Sequence, residues 1–167
     1  MQTHDAVEVI KDYLQDAIAA EKSFEAQLRA FAEDAMDRSD VRELFERHAD
    51  ETRDQHAALT ERLRELDGAP SGIQSFIAHM FSVTPTVAQT GHEQEEKITQ
   101  NLMIAFAVEN SEVAMYESLA TVASAAGDGA TENLARKIQN QERATAEKVW
   151  QQIAPAARRA AQIREAA

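Results

Sequence analysis

The sequence predicts an all-α protein, and three observations lead to this prediction. Apolar residues recur at alternating steps of three and four over long stretches, as on the buried face of a helix. No stretch shows sustained alternation of apolar and polar residues, which is the pattern of a half-buried strand. Glycines and prolines fall where the apolar periodicity lapses, so they separate helices instead of interrupting them. The pattern predicts two antiparallel helical hairpins joined by a long crossover.

The first hairpin consists of two long helices. Helix A is predicted over 5–36 and helix B over 39–66. Ser39 is a good N-cap residue and is expected to begin helix B. Gly68 and Pro70 are stop signals that are expected to end it.

The second hairpin follows a crossover over 67–92. Helix C is predicted over 93–125 and is stopped by Gly127, and helix D is predicted over 131–153, with a helical tail over 156–167. The crossover is predicted to carry a short fifth helix whose apolar side consists of Ile73, Phe76, Ile77, Met80 and Phe81.

Length and composition narrow the function classes. A chain of 167 residues suits one domain, 1–167, with a sizeable core. The absence of cysteine excludes disulfides, zinc–thiolate sites and thiol catalysis, and it fits the cytoplasmic location that we expect. No apolar run approaches the roughly 18 residues of a membrane span. The net charge of -12 repels nucleic-acid backbones and anionic membranes, so neither is an expected partner, whereas metal cations are.

Each predicted helix carries a glutamate on its apolar face, near its middle. On helix B, for example, Glu51 lies between His48 and Gln55 in the apolar series. The glutamates that share this placement are Glu21, Glu51, Glu109, Glu112 and Glu142.

These five glutamates are predicted to form one layer. In each hairpin the paired glutamates are nearly equidistant from the turn, with an offset of only ~3 Å at ~1.5 Å per residue. An ionised buried carboxylate costs several kcal/mol, and five would cancel a domain stability of roughly 5–15 kcal/mol. Two divalent metal ions would bring +4 against -5, so the sequence predicts a two-metal site. The alternative is a solvated face or a set of protonated carboxyl groups.

Other polar residues near this layer have two interpretations each. Asp54, three residues after Glu51, is as consistent with a weak metal ligand as with an exposed acid. His48 is predicted to be a core residue or a support for the ligands instead of a ligand. Tyr116, one turn after Glu112, is predicted to be a core residue, with a hydrogen bond to a ligand carboxylate as the alternative. No separate catalytic acid or base stands out.

Four segments carry a resemblance to a known group: "AAEKSFEAQL", "HADETRDQH", "AVENSEVAMY" and "QNQERATAEK". Their joint placement resembles the ferritin-like superfamily of carboxylate-bridged di-iron proteins. "AVEN", the Glu109 and Glu112 pair, and "RLRELDGAPS" at the end of helix B are most similar to the YciE/YciF type of stress-associated ferritin-like protein. The resemblance implies a ferritin-like four-helix bundle with a binuclear metal site, usually assembled as a dimer.

The chain departs from the superfamily pattern at two positions. A Glu-x-x-His pair on helices B and D would place histidines at 54 and 145, where this chain has Asp54 and Thr145. The predicted ligands are therefore all oxygen atoms, which suit manganese, magnesium or calcium as readily as iron. Iron is the expected metal, and manganese is the alternative.

Two function classes remain open from the sequence. The first is a binuclear metal protein that oxidises ferrous iron, or consumes peroxide or oxygen, in stress protection. The second is a non-catalytic stress or assembly protein whose metal site is structural or sequestering. A homodimer is expected in either case, with the apolar crossover helix as one candidate surface.

Overall fold

The computed structural model describes the backbone of residues 2–70 and 93–166, and the side chains of residues 6–70 and 93–162. No strand occurs in this part of the chain, which confirms the all-α class. The predicted short fifth helix falls within 71–92, outside the described residues. The four helices are α1 (Gln2–Asp34), α2 (Ser39–Glu65), α3 (Gln94–Ala126) and α4 (Gly129–Ala166).

The helices form a four-helix bundle of two hairpins. α1 packs against α2 and α3 against α4, and across the bundle α1 packs against α3 and α2 against α4. Asn101, near the start of α3, donates a 2.9 Å hydrogen bond to Asp34 at the end of α1, so these two helices are antiparallel. The end of α2 and the start of α3 therefore lie at opposite ends of the bundle, ~40 Å apart for a helix of the length of α2.

The apolar faces meet in one core. Burying a large aliphatic or aromatic side chain contributes about 1.5–3 kcal/mol, so these faces account for much of the driving force for bundle formation. A group of buried polar side chains interrupts this core part-way along the helices. The largest fully buried apolar side chains include Phe24, Phe45, Leu59, Leu102, Leu119 and Ile138.

The ends of α2 differ from the predicted caps. Arg38, not Ser39, occupies the N-cap position, and it makes no capping hydrogen bond through its side chain. At the other end Asp67 adopts the left-handed conformation, with φ 57°, that glycine commonly takes after a helix. Gly68 donates its N–H to the Leu63 carbonyl at 2.9 Å. A Cβ atom at Gly68 would lie 2.4 Å from Leu63 Cδ1, so glycine is needed there for the close approach.

α4 continues through Pro155, so the predicted division into helix D and a separate tail is wrong. Proline removes one backbone hydrogen bond and crowds the preceding turn, which normally ends or kinks a helix. Here Val149 and Ala156, on either side of the proline, are both buried against the bundle. Packing therefore holds the helix together across this position. The other helix boundaries lie within three residues of the predicted ones.

None of the described helices contains a segment that is long and apolar enough to cross a membrane.

Candidate metal centre

Three helices bring four glutamates into the interior of the bundle. Glu21 comes from α1, Glu109 and Glu112 from α3, and Glu142 from α4; each is at most 1% exposed. Glu109 and Glu112 are three residues apart, so one face of α3 presents both carboxylates. The burial that the sequence predicted for these four side chains is therefore present. Their role as metal ligands stays a proposal.

The remaining helix, α2, contributes a histidine to this centre. His48 on α2 is 3% exposed, and its Nε2 lies 2.5 Å from Glu109 Oε1. Ligand atoms of His48, Glu109 and Glu142 all lie within 4.8 Å of one another. The Phe24 ring packs edge-on against the imidazole, with 5.4 Å between ring centroids, and this contact restricts the orientation of the ring. Three donors from three helices thus converge closely enough to bind one cation.

Few hydrogen-bond donors reach the four glutamates. The Tyr116 hydroxyl donates to Glu21 Oε1, and Gln55 Nε2 donates to Glu142 Oε1 at 2.5 Å. Five oxygens have no donor or ion-pair partner among the residues that the structure describes, although buried polar atoms are normally paired. These oxygens are Glu21 Oε2, Glu109 Oε2, Glu142 Oε2 and both carboxylate oxygens of Glu112, whereas Glu109 Oε1 has His48 Nε2 beside it.

Burial makes three of these carboxyl groups weak acids. It raises the pKa of Glu21 to about 8, against the opposing hydrogen bond from Tyr116. Burial, followed by the charges of Glu21 and Glu109, raises the pKa of Glu112 well above its ordinary value. Burial and the neighbouring Glu112 do the same for Glu142. A raised pKa means that these groups hold their protons more tightly, so a metal ion competes with protons in order to bind.

His48 supplies a positive charge to the centre. Burial disfavours the imidazolium form, but the Glu109 carboxylate more than offsets this and raises the pKa of His48 to about 9. The His48 imidazole, in turn, keeps the pKa of Glu51 below its ordinary value. His48 therefore supplies one positive charge beside four buried acidic side chains.

Glu51 and Asp54 lie outside the buried group. Glu51 is 31% exposed in a groove between α2 and α4, where Gln141 Nε2 donates to its Oε1 at 3.0 Å. Asp54 is 79% exposed and lies 3.7 Å from Arg53. This agrees with the interpretation of Asp54 as an exposed acid. Thr52, the residue that follows Glu51 on α2, is fully buried. Four of the five glutamates of the predicted layer are therefore buried, and Glu51 is partly exposed.

Sequence reasoning assigned His48 a supporting role, whereas the structure places its Nε2 in the cluster. A signal was present in "HADE", where His48 precedes Glu51 by three residues. This order is the reverse of the Glu-x-x-His pair expected on that helix. The hydrogen bond from Tyr116 to Glu21 corresponds to the alternative interpretation of that tyrosine.

The donor set fits hard or borderline divalent cations. Carboxylate oxygens with one imidazole nitrogen suit iron and manganese. A site that used His48 would differ from the all-oxygen set predicted from the sequence, which stays a prediction. Four buried carboxylates carry -4 when ionised, which two divalent ions would neutralise.

The family model described as "Domain of unknown function (DUF892)" matches residues 5–162. The chain belongs to the DUF892 family. Solved structures similar to this DUF892 chain include the E. coli stress protein YciF, with a TM-score of 0.81 at 21% identity over 92% of this chain and 97% of that chain. A protein from Xanthomonas campestris has a TM-score of 0.78 at 23% identity, over 96% and 99% of the two chains.

A more distant structure extends this likeness. The bacterioferritin-related protein of Bacteroides fragilis, described as a dodecameric thioferritin, has a TM-score of 0.69 at 22% identity, over 96% of the DUF892 chain and 90% of its own. Identities this low establish the fold alone. The ferritin-like fold and the resemblance to YciF-type proteins, predicted from the sequence, are thereby confirmed.

Proposed function

We propose that this chain binds two divalent metal ions between its four helices. The observation that carries the proposal is the set of five buried carboxylate oxygens that have no donor or ion-pair partner among the described residues. Such a set is costly to retain unless a cation occupies it, since each unpaired buried polar atom costs about 1–3 kcal/mol. The residues proposed as ligands are Glu21, His48, Glu109, Glu112 and Glu142.

We further propose that the native metal is iron, and that the centre oxidises ferrous iron with oxygen or peroxide as the electron acceptor. The imidazole of His48 beside the carboxylates favours iron over magnesium or calcium. Bound iron would supply the redox chemistry. The chain would hold the ions away from bulk water, with Tyr116 orienting Glu21 and Gln55 orienting Glu142. The description of YciF as a stress protein is consistent with such a role.

Anaerobic loading with ferrous iron, followed by addition of oxygen or peroxide, tests both the binding of two metal ions and the oxidation of iron. We expect about two ions per chain and ferric iron formation over several turnovers, faster than in buffer alone. Glu109→Gln should abolish both results, whereas Glu46→Gln, at an acid that is 43% exposed and paired with Arg42, should change neither. Iron binding without turnover would exclude the oxidase and leave a structural or sequestering site. Absence of bound metal in the parent would refute the proposal as a whole.

We also propose that the chain self-associates as a homodimer. The similar Bacteroides fragilis protein is described as dodecameric. Met103 and Trp150 are 55% and 56% exposed, so apolar surface is available for contact with a second copy. The crossover helix, the surface suggested by the sequence, lies outside the described residues. Sedimentation showing only monomer at micromolar concentration would contradict this proposal. A cytoplasmic location stays a prediction.

A further inference from the structure

The groove between α2 and α4 reaches two side chains that contact the buried glutamates. Its volume is about 640 Å³, and His48 and Gln55 are among the residues that line it. His48 contacts Glu109 and Gln55 contacts Glu142, each at 2.5 Å. His48, itself a proposed ligand, and Gln55 therefore lie between the groove and the buried glutamates.

Glu51 is placed where a cation passing through the groove would meet it. Its Oε1 accepts the 3.0 Å hydrogen bond from Gln141, and its Oε2 lies 3.5 Å from Thr145 Oγ1 and 4.0 Å from His48 Nδ1. His48 Nδ1 is buried and has no hydrogen-bond partner in the described part of the chain. The imidazole thus presents one nitrogen to Glu109 and the other to Glu51.

The charges at the rim of the groove do not by themselves select a cation. Arg47, Lys137 and Lys148 line it together with Asp50 and Asp54. Asp50 already accepts hydrogen bonds from two arginines, at 2.8 and 3.0 Å. Glu51, deeper than these groups and 31% exposed, is the lining carboxylate nearest to His48.

We propose that Glu51 is a transfer carboxylate, which receives a divalent cation from solvent and passes it beyond His48 to the buried glutamates. This inference rests on the proposed metal-binding function. The buried carboxylates are at most 1% exposed, so a hydrated ion cannot reach them without first losing water. Glu51, which is 31% exposed, offers a first carboxylate that replaces part of this water before the ion moves past His48. Glu51 therefore governs the rate of loading and is not required for the final binding.

Stopped-flow mixing of the metal-free protein with Co²⁺ distinguishes the rate of metal loading from the amount of metal bound at equilibrium, because cobalt absorption reports both. We expect Glu51→Gln to slow association by at least about tenfold, the lower end of what a focusing charge contributes, while the bound cobalt at equilibrium is unchanged. Glu46→Gln, which removes the same charge from α2 at a 43% exposed position outside the groove, is the matched control and should associate at the parental rate.

Each outcome is decisive. Parental association rates in Glu51→Gln would overturn the transfer role, and so would equal slowing in Glu46→Gln. Loss of bound cobalt at equilibrium in Glu51→Gln would make Glu51 an ordinary ligand, which also overturns it. If the parent itself binds no cobalt, the proposed function fails together with this inference, and the two kinds of failure are therefore distinguishable.

Discussion

His48 on α2 and Glu109 on α3 meet across the diagonal of the bundle, with 2.5 Å between Nε2 and Oε1. The helices that pack as neighbours are α1 with α2 and α3, and α4 with α2 and α3. The contact therefore joins two elements through the interior instead of along a shared interface. This contact places the positive charge of the imidazolium beside the buried acidic groups. Glu112 has no hydrogen-bond donor among the described residues.

Glu112→Gln should weaken metal binding without preventing folding. The amide has a similar shape but lacks the charge and one acceptor oxygen, so it is a poor ligand. We expect the affinity to fall by more than the roughly 10–100-fold that loss of a supporting residue costs. Titration calorimetry with Mn²⁺ measures this. The matched control is Glu61→Gln, at a position that is 65% exposed. Equal affinities in the two variants would contradict the assignment of Glu112.

The metal-free protein should lose stability as the pH rises from 4.5 towards about 8. In this window folded Glu21, with its pKa raised to about 8 chiefly by burial, retains a proton that the unfolded chain has released. The stability that this group contributes is full below pH 4.5 and is lost as the pH passes about 8. His48, with its pKa raised to about 9, acts in the same direction.

Metal should therefore stabilise the protein more at the upper end of that window, because metal binding displaces the protons. Thermal melting with excess Mn²⁺ and with a chelator, at several pH values, gives this difference. A gap in melting temperature that narrows as the pH rises would be inconsistent with buried, protonated carboxyl groups.

Tyr116→Phe should destabilise the metal-free protein by about 1–3 kcal/mol, because Glu21 loses its hydrogen-bond donor in a fully buried setting. Urea unfolding in the presence of a chelator measures the change. Tyr13→Phe removes the same hydroxyl from a side chain that is 37% exposed, and its effect should stay within about 0.5 kcal/mol. A loss of similar size in both variants would argue against a specific role for Tyr116.

Asp128→Ala should destabilise the junction of α2 and α4 by about 0.5–2 kcal/mol, since it removes the side-chain cap of α4. Asp128 accepts a hydrogen bond from the Thr131 N–H at 3.1 Å, and Arg62 Nη2 donates to both of its carboxylate oxygens at 2.8 Å. Urea unfolding is again the measurement, with Asp54→Ala, at an exposed acid, as the control. An unchanged midpoint in Asp128→Ala would show that the Arg62 contact and the cap are dispensable.

Much of the candidate site could be predicted because the apolar periodicity of each helix indicates which of its residues are buried. Glu21, Glu109, Glu112 and Glu142 interrupt apolar series with a period near 3.6, and that period is a property of one helix at a time. The class of fold and the acidic interior follow from the same local pattern.

Tertiary packing decided the rest. Successive residues of a helix are rotated by about 100°, so a small rotation of α2 about its axis determined that Thr52 is buried while Glu51 opens to the groove. The same rotation directs His48 towards Glu109, across 61 residues of sequence, and burial of Val149 and Ala156 carries α4 through Pro155. By itself the sequence determined which face of each helix is apolar. How far each helix turns that face towards the others depends on the fit of all four, and no single helix contains that information.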